Sequence, residues 1–247
     1  MNFLKHIQIL SLVLFPACLT GMEQGSWVEQ DKHGENISIE WHKVTDCKTL
    51  LELEEQLMPV SAEAFADEAI DLRNFLLDDK FQIKKEFIEI AEGLSHGDRE
   101  ELDAKIAISN TDRMSRVGYL RQMFLQKFEK TKAVLLIHSK HVLNSIYFVV
   151  TAKDKAGEVL GLAIFNINSD DCSDVWVDQL AVLPKAQGRG LARLLMFSIL
   201  KLNPEIACIG LNTELWNVKA REMYTQAFKF TERRIKDFTV WFEHFVK

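Results

Sequence analysis

The sequence contains few of the residues that mark specialised protein classes. Only 4 prolines and 11 glycines occur among 247 residues, which excludes collagen-like and low-complexity chains. The 4 cysteines lie far apart without a CxxC pair, so they indicate isolated thiols and neither a disulfide framework nor a zinc site. Basic residues number 30 against 36 acidic ones, a balance without the positive surplus typical of nucleic-acid binding. The remainder, 47% hydrophobic and 27% charged, is typical of a globular protein with a substantial core.

The hydrophobic N-terminal run is too short to span a bilayer, which needs about 20 apolar residues. It extends over Ile7–Phe15, follows Lys5 and precedes a few small residues, a layout typical of a secretory signal. Residues 1–21 are therefore predicted to be a signal peptide, with a buried or amphipathic N-terminal helix as the alternative. The polar residues 22–36 are predicted to form a linker.

Residues 37–247 are interpreted as one domain whose apolar pattern changes along its length. Residues 46–130 carry apolar stripes at helical spacing, and a single strand, Ile37–Trp41, precedes them. Val134–Ile137 is either a strand or a helix end. The elements predicted beyond it are the strands Ile146–Thr151, Val159–Ile167, Val175–Val182, Ile206–Asn212 and Phe238–Phe245 and the helices Leu191–Leu202 and Asn217–Phe228. Three strands, helix, strand, helix and strand indicate a mixed α/β layer structure.

A loop with two glycines joins the third of these strands to the next helix. It reads Gly188-Arg189-Gly190-Leu191-Ala192. A helix start exposes unpaired N–H groups and the positive end of the dipole, and glycine lets an anion approach them. Arg189 adds a charge that can pair with phosphate. The loop predicts a diphosphate site, or a glycine-bearing helix start without a ligand.

Two common phosphate-binding motifs do not fit this loop. A P-loop requires Lys followed by Ser or Thr after its second glycine, and Leu191 and Ala192 stand there. A dinucleotide fingerprint requires a third glycine where Arg193 stands, and its βαβ crossovers conflict with the predicted hairpin.

Two motifs together resemble those of the GCN5-related N-acetyltransferases, the GNAT superfamily. Residues 187–192 read Q-x-x-G-x-A, which resembles the family's acetyl-CoA signature, and residues 217–224 read N-x-x-A-x-x-M-Y, which is similar to its later helix. The resemblance implies an α/β (α+β) fold with a mixed, mostly antiparallel central sheet flanked by helices. It also implies an enlarged helical part, 46–130, after the first strand, and an acetyl-CoA-binding core at 146–247.

The resemblance implies a transferase that uses acetyl-CoA as cosubstrate. Backbone N–H groups of 187–192 would hold the diphosphate, strand residues 180–182 would run beside the pantetheine arm, and Asn217 would bind that arm. One N–H of the strand would polarise the thioester carbonyl. The implied cofactor-binding residues are Leu180, Ala181, Val182, Gln187, Gly188, Arg189, Gly190, Leu191, Ala192 and Asn217.

The implied reaction is direct acyl transfer from the thioester to an amine. Tyr224 lies two helical turns after Asn217, about 10 Å along the axis, and would protonate the departing thiolate. Asp178 on the central strand is the first candidate for the base and Glu214 the second, while Asn212 stands where some relatives carry a glutamate. Bulk water is a further alternative for an amine that is already neutral.

Other features bear on the turn after Tyr224, on metals and on the cleft. The family commonly has Gly-Phe four and five residues after this tyrosine, where this chain has Phe228 and Lys229, which predicts a turn that is built differently, for example one residue shorter. His138 and His141 have a ligand spacing but lack a third ligand, so no metal is predicted. Trp176 and Trp216 either line the cleft or pack in the core.

The acceptor is expected to be an amine on a small molecule or on a protein or peptide, with no nucleic acid and no stable membrane span. The helical part 46–130 is expected to shape the acceptor site. A signal-like start favours export, whereas acetyl-CoA favours the cytoplasm of the producing cell or of a host. A non-catalytic protein that binds acyl-CoA or a partner on the same scaffold is the alternative to the enzyme.

Overall fold

The computed structural model describes residues 24–44, 47–137, 145–168 and 173–246. The predicted signal peptide, His138 and His141 lie outside these ranges, so their interpretations stay predictions. Among the helices that are described, none is long and apolar enough to cross a membrane.

Eight described strands form a single mixed sheet. Their order is β1-β2-β3-β4-β5-β6-β8-β7, and every pair is antiparallel except β5 with β6. This confirms the expected mixed, mostly antiparallel sheet. The strands are β1 (Gln24–Gln30), β2 (Asn36–Val44), β3 (Ser145–Lys153), β4 (Val159–Asn168), β5 (Asp174–Val182), β6 (Cys208–Glu214), β7 (Thr231–Lys236) and β8 (Thr239–Phe245).

Two of these strands are absent from the sequence prediction. The segment 22–36, predicted as a linker, contains β1, which pairs with β2 along the edge of the sheet, so that prediction is wrong for residues 24–30. β7 is the other strand and forms the opposite edge. The predicted first strand at Ile37–Trp41 is therefore the second strand of the sheet.

The expected helical part is present and follows β2. Pro59 lies inside α1 and does not end it, and Val134–Ile137 is the end of α5. The helices that flank the sheet are α1 (Cys47–Phe65), α2 (Glu68–Leu76), α3 (Lys85–Glu92), α4 (His96–Ile108), α5 (Arg113–Ile137), α6 (Leu191–Leu202) and α7 (Val218–Glu222).

The two faces of the sheet are covered by different helices. On one face α6 packs over the largest core cluster, which includes Phe148, Phe165 and Leu195. On the other face α1 packs over a smaller cluster that contains Leu162 and Ala181. Since successive residues of a strand point to opposite faces, β4 and β5 contribute to both clusters. The sheet is the middle layer between these helices.

β5 and β6 separate part-way along their length. Their parallel pairing runs from Asp174 with Cys208 to Val177 with Leu211 and stops there. At the same level the register between β4 and β5 shifts, because Val177 pairs with Phe165 and Gln179 pairs with Ile164. Asp178 is therefore the extra residue of a β-bulge, a feature that bends a strand and ends its pairing. The carboxyl half of β5 faces an opening instead of β6.

The helix that carries Tyr224 ends in a π-helical turn. α7 continues into this turn at Met223–Ala227, where the N–H of Phe228 donates to the carbonyl of Met223 at 3.0 Å. A π turn accommodates one extra residue, so the left-handed position falls at Lys229, with φ of 63°. The turn is thus built differently, as predicted, but it is one residue longer and not shorter.

We expect Lys229→Gly to stabilise the protein by about 1 kcal/mol. A left-handed conformation costs an L-residue roughly 1–2 kcal/mol, and the greater freedom of glycine in the unfolded chain offsets part of that gain. Urea unfolding of this variant and of Lys236→Gly, an exposed lysine in strand β7, would measure the difference. A lower midpoint for both variants would contradict the strain at Lys229.

Candidate active site

A large cavity opens where β5 and β6 separate. Its volume is about 1210 Å³, somewhat above the usual range of ligand pockets. The carboxyl half of β5, the glycine loop and α7 line one side, and residues of α1, α2, α4 and α5 line the other. The helical part thus covers the opening, and the cavity runs from the glycine loop to the space between α2 and β6.

The glycine loop presents a row of backbone donors to this cavity. Gly188 and Gly190 have φ of 77° and 86°, left-handed values that favour glycine, and Gly190 is the residue before α6. Within the described ranges, the N–H groups of Gly188 to Ala192 pair with no other residue. Together with the helix dipole they form a cradle for an anion. Gly188, Gly190, Leu191 and Ala192 line the cavity, and their role in cofactor binding stays a prediction.

Two residues of the predicted cradle are engaged elsewhere. The N–H of Gln187 donates to the carbonyls of Leu183 and Pro184, and its side-chain Nε2 donates to the carbonyl of Val182 at 3.2 Å. Gln187 therefore holds the end of β5 and offers no backbone donor to the cradle, which corrects the prediction for this residue.

Arg189 is the second of these residues. Its Nε lies 2.6 Å from Oδ2 of Asp31 and its Nη2 lies 2.7 Å from Oε2 of Glu35. Its guanidinium faces the β1–β2 turn and not the cradle, which corrects the prediction that it pairs with phosphate. Burial alone would raise the pKa of Asp31, but hydrogen bonds from Arg189 and from the N–H groups of Glu35 and His33 outweigh it and lower that pKa.

Lys32 is a cavity residue that the motif does not reveal. Its backbone N–H donates to the carbonyl of Arg189 at 3.0 Å, and its Nζ lies 3.9 Å from the position that a Cβ atom would take at Gly188. The hairpin of β1 and β2 thus brings a flexible cation to the cradle. No local pattern around residue 32 indicates this, because the contact depends on how the hairpin folds against the loop.

Tyr224 and Asn217 lie on the far side of the opening. Tyr224 is buried, lines the cavity and packs against Phe228, Phe230 and Phe242. Burial raises its pKa, and the nearby carboxylates of Glu214 and Glu68 add to this, so the phenol keeps its proton. The Oδ1 of Asn217 caps α7 by accepting from the N–H of Ala220 at 3.2 Å, and its Nδ2 can donate to a ligand.

The two predicted base candidates occupy different places. Asp178 is exposed at the bulge of β5, and Glu214 ends β6; both line the cavity. Glu214 Oε1 lies 3.7 Å from Nζ of Lys105 on α4. Asn212 is exposed on β6 and also borders the cavity. The structure therefore brings both candidates to one cavity with Tyr224.

A third carboxyl group, that of Glu68, lies in the cavity. Glu68 begins α2, and its Oε1 accepts a hydrogen bond from Nε1 of Trp216 at 3.2 Å. Of the two tryptophans, Trp216 lines the cavity, whereas Trp176 packs against Gly210. The sequence pattern around Glu68 indicates only a helix, because nothing local places α2 against the end of β6.

The glycine cradle and the helix that carries Tyr224 lie within one matched segment. Residues 116–230 match the model described as the acetyltransferase (GNAT) family. The predicted resemblance to the GNAT family is confirmed. The matched GNAT segment begins in α5 and ends before β7, so it includes the cradle, Asn217 and Tyr224. Lys32, Glu68 and Lys105 lie outside it.

Solved GNAT structures are also similar to this chain. The GNAT domain of S. lividans PAT has 16% identity and a TM-score of 0.47, over 90% of this chain and 97% of that one. The PaiA N-acetyltransferase of Thermoplasma acidophilum, solved with coenzyme A, has 14% identity and a TM-score of 0.44, over 84% of this chain and 99% of that one. A search of curated proteins found no match.

Proposed function

We propose that this protein is an N-acetyltransferase that moves the acetyl group of acetyl-CoA directly to an amine. The observation that carries the proposal is the unpaired row of N–H groups at Gly188–Ala192 beside the open edge of β5. A diphosphate fits the row of donors, and an extended pantetheine arm fits as an added strand beside Leu180–Val182, where β5 is no longer paired with β6. The GNAT match of residues 116–230 supports the same reading.

The residues across the opening support catalysis and not only binding. Tyr224 keeps its proton because burial and nearby carboxylates raise its pKa, so the phenol is available to protonate the departing thiolate. Nδ2 of Asn217 would hold a carbonyl of the pantetheine arm. The acceptor is an amine of a small molecule, protein or peptide, which enters between the helical part and the end of β6.

The direct test is ligand binding followed by turnover. Acetyl-CoA at 100 times its Kd should stabilise the native state by about 2.7 kcal/mol, which raises Tm by about 5–10 °C for a chain of this size. Release of free coenzyme A in the presence of an amine panel would then show transfer. A protein that binds without turnover would support the non-catalytic alternative, and one that ignores acetyl-CoA would refute both.

We expect Lys32→Gln to weaken acetyl-CoA binding about tenfold, the usual effect of losing one charged hydrogen bond to phosphate. Binding of S-acetylpantetheine, which has no diphosphate, should not change. Isothermal titration of both ligands at two salt concentrations would measure these affinities. The affinity for acetyl-CoA should depend less on salt in the variant than in the wild type.

Lys185→Gln is the matched control for Lys32→Gln. Lys185 lies just before the glycine loop but pairs with Glu158, and it does not line the cavity. Its loss should leave the affinity for acetyl-CoA within about twofold, as for an exposed ion pair. Equal weakening by the two variants would show that general surface charge, and not Lys32, attracts the ligand.

Among the described residues, no group of three or more His, Cys, Asp or Glu side chains is placed to hold a metal ion. Direct transfer needs only the thioester, the amine and groups that move protons.

A further inference from the structure

The helical part contributes a carboxyl group to the site that the GNAT match does not include. Glu68 on α2 accepts from Nε1 of Trp216 at 3.2 Å, and its carboxyl lies within hydrogen-bonding reach of the carboxyl of Glu214. Both carboxyl groups line the cavity that also contains Tyr224. Two carboxyl groups this close tend to share one proton.

Three other charged or titratable groups surround this pair. From α4, Nζ of Lys105 lies 3.7 Å from Glu214 and 2.9 Å from Oε1 of Glu101. Burial would lower the pKa of Lys105, but Glu214 and Glu101 outweigh it and raise that pKa, so Lys105 remains an ammonium. From the α7 side, Tyr224 faces the pair in its protonated, neutral form.

We propose that Glu68, paired with Glu214, is the base that takes the proton from the acceptor amine. The inference rests on the proposed N-acetyltransferase function and names its acceptor as an aliphatic amine that enters the cavity as a cation. Lys105 already pairs with both Glu101 and Glu214, so an additional cation would stabilise Glu68 when it is ionised. The acceptor ammonium supplies that charge in the step before transfer.

The raised pKa of Glu68 suits its proposed role as the base. Burial and the charge of Glu214 raise the pKa of Glu68 to about 8. A base is most effective when its pKa lies near the working pH, and an ordinary exposed carboxylate is too weak to deprotonate an alkylammonium. Asp178 is exposed at the bulge, and Glu214 lies 3.7 Å from the ammonium of Lys105.

The proton and electron movements balance as follows. The ionised pair takes one proton from the ammonium, and the amine lone pair forms the C–N bond at the thioester carbonyl carbon. The C–S bond breaks, its electron pair leaves on sulfur, and sulfur takes the proton of Tyr224. After the C–N bond has formed, the nitrogen loses a second proton. The Tyr224 oxygen takes up that proton, which restores the phenol, and the carboxyl pair releases the first proton to water.

The test compares two acceptors in the wild type and in Glu68→Gln. An alkylamine is protonated at neutral pH and needs a base, whereas a hydrazide is already neutral and does not. We expect Glu68→Gln to lower kcat/KM about 100-fold for the alkylamine, the usual contribution of a general base, and less than threefold for the hydrazide. Gln keeps the acceptor for Trp216, so Tm and the affinity for acetyl-CoA should not change.

A pH series gives a second readout for the alkylamine. Because the pair must be ionised to act as a base, log(kcat/KM) of the wild type should fall as the pH drops below about 8. In a plot against pH, the slope of this fall should be one unit steeper for the wild type than for Glu68→Gln. Asp71→Asn, on the same helix and also bordering the cavity, is the matched control and should keep both the slope and the rate.

The outcomes separate this inference from the proposed function. An equal fall for both acceptors would assign Glu68 a structural role, and no fall for either would remove it from the reaction; each overturns the inference while the acetyltransferase stands. Absence of turnover in the wild type with either acceptor would overturn the proposed function itself. If Glu68→Gln unfolds, Glu68→Asp with the same two acceptors provides the comparison.

Discussion

Tyr224→Phe should lower kcat by a factor of about 100 or more, because general acids contribute 10²- to 10⁴-fold to proton transfer. The hydroxyl is the only group removed, and the ring keeps its contacts with Phe228, Phe230 and Phe242. Both Tm and the affinity for acetyl-CoA should therefore remain those of the wild type. Steady-state release of coenzyme A and calorimetric titration on the same samples would measure the two effects.

Two further experiments test the role of Tyr224. A good thiolate leaving group needs less help from an acid, so a thioester of lower thiol pKa should recover part of the lost rate in Tyr224→Phe. Tyr119→Phe, a half-buried tyrosine of α5 that also borders the cavity, is the matched control for loss of a phenol. A variant Tyr224→Phe with unchanged kcat would exclude the tyrosine as the acid.

Phe165→Ala should lower the free energy of unfolding by about 3–5 kcal/mol, the usual cost of truncating a buried phenylalanine. Phe165 is fully buried on β4 and pairs with Val177, the last residue of β5 that is joined to β6. The cavity would form directly under the point where the two strands separate. Tm should fall by roughly 10 °C, and urea unfolding would give the free energy.

Phe245→Ala is the control for this prediction. Phe245 ends β8 and is 55% exposed, so its truncation should change stability by no more than about 0.5 kcal/mol. The affinity for acetyl-CoA should also fall in Phe165→Ala, since the opening depends on the bulge beside it, and remain unchanged in Phe245→Ala. Similar losses of stability in the two variants would contradict the placement of the core.

The two strands that the sequence prediction missed, β1 and β7, show where apolar periodicity gives no signal. β7 reads TERRIK, and all of its residues are exposed, so it has no apolar alternation to detect. β1 has one partner strand and lies at the sheet edge, and its polar residues read as a linker. Edge strands carry such sequences because unpaired apolar edges promote aggregation. The interior strands β3 to β6 contribute buried apolar residues to the core, and all four were predictable from their apolar runs.

The residues of the candidate site also divide into those that the sequence predicted and those that it could not predict. The glycine cradle, Asn217 and Tyr224 each belong to a short motif, because their spacing along one loop or one helix fixes their geometry. Arg189 lies in that motif too, yet its side chain turns to Asp31 and Glu35. Lys32 and Glu68 come from distant segments, and no spacing rule relates them to the motif.

Composition and periodicity by themselves determined the layered α/β architecture and the loop with its backbone donors, since both follow from local preferences for strands, helices and glycine. Tertiary structure alone decided which charges meet there. It turned Arg189 away, brought Lys32 over Gly188 and set Glu68 beside Glu214 and Trp216. The physical reason is that backbone geometry is encoded within a few residues, whereas the partner of a charged side chain depends on how distant segments pack.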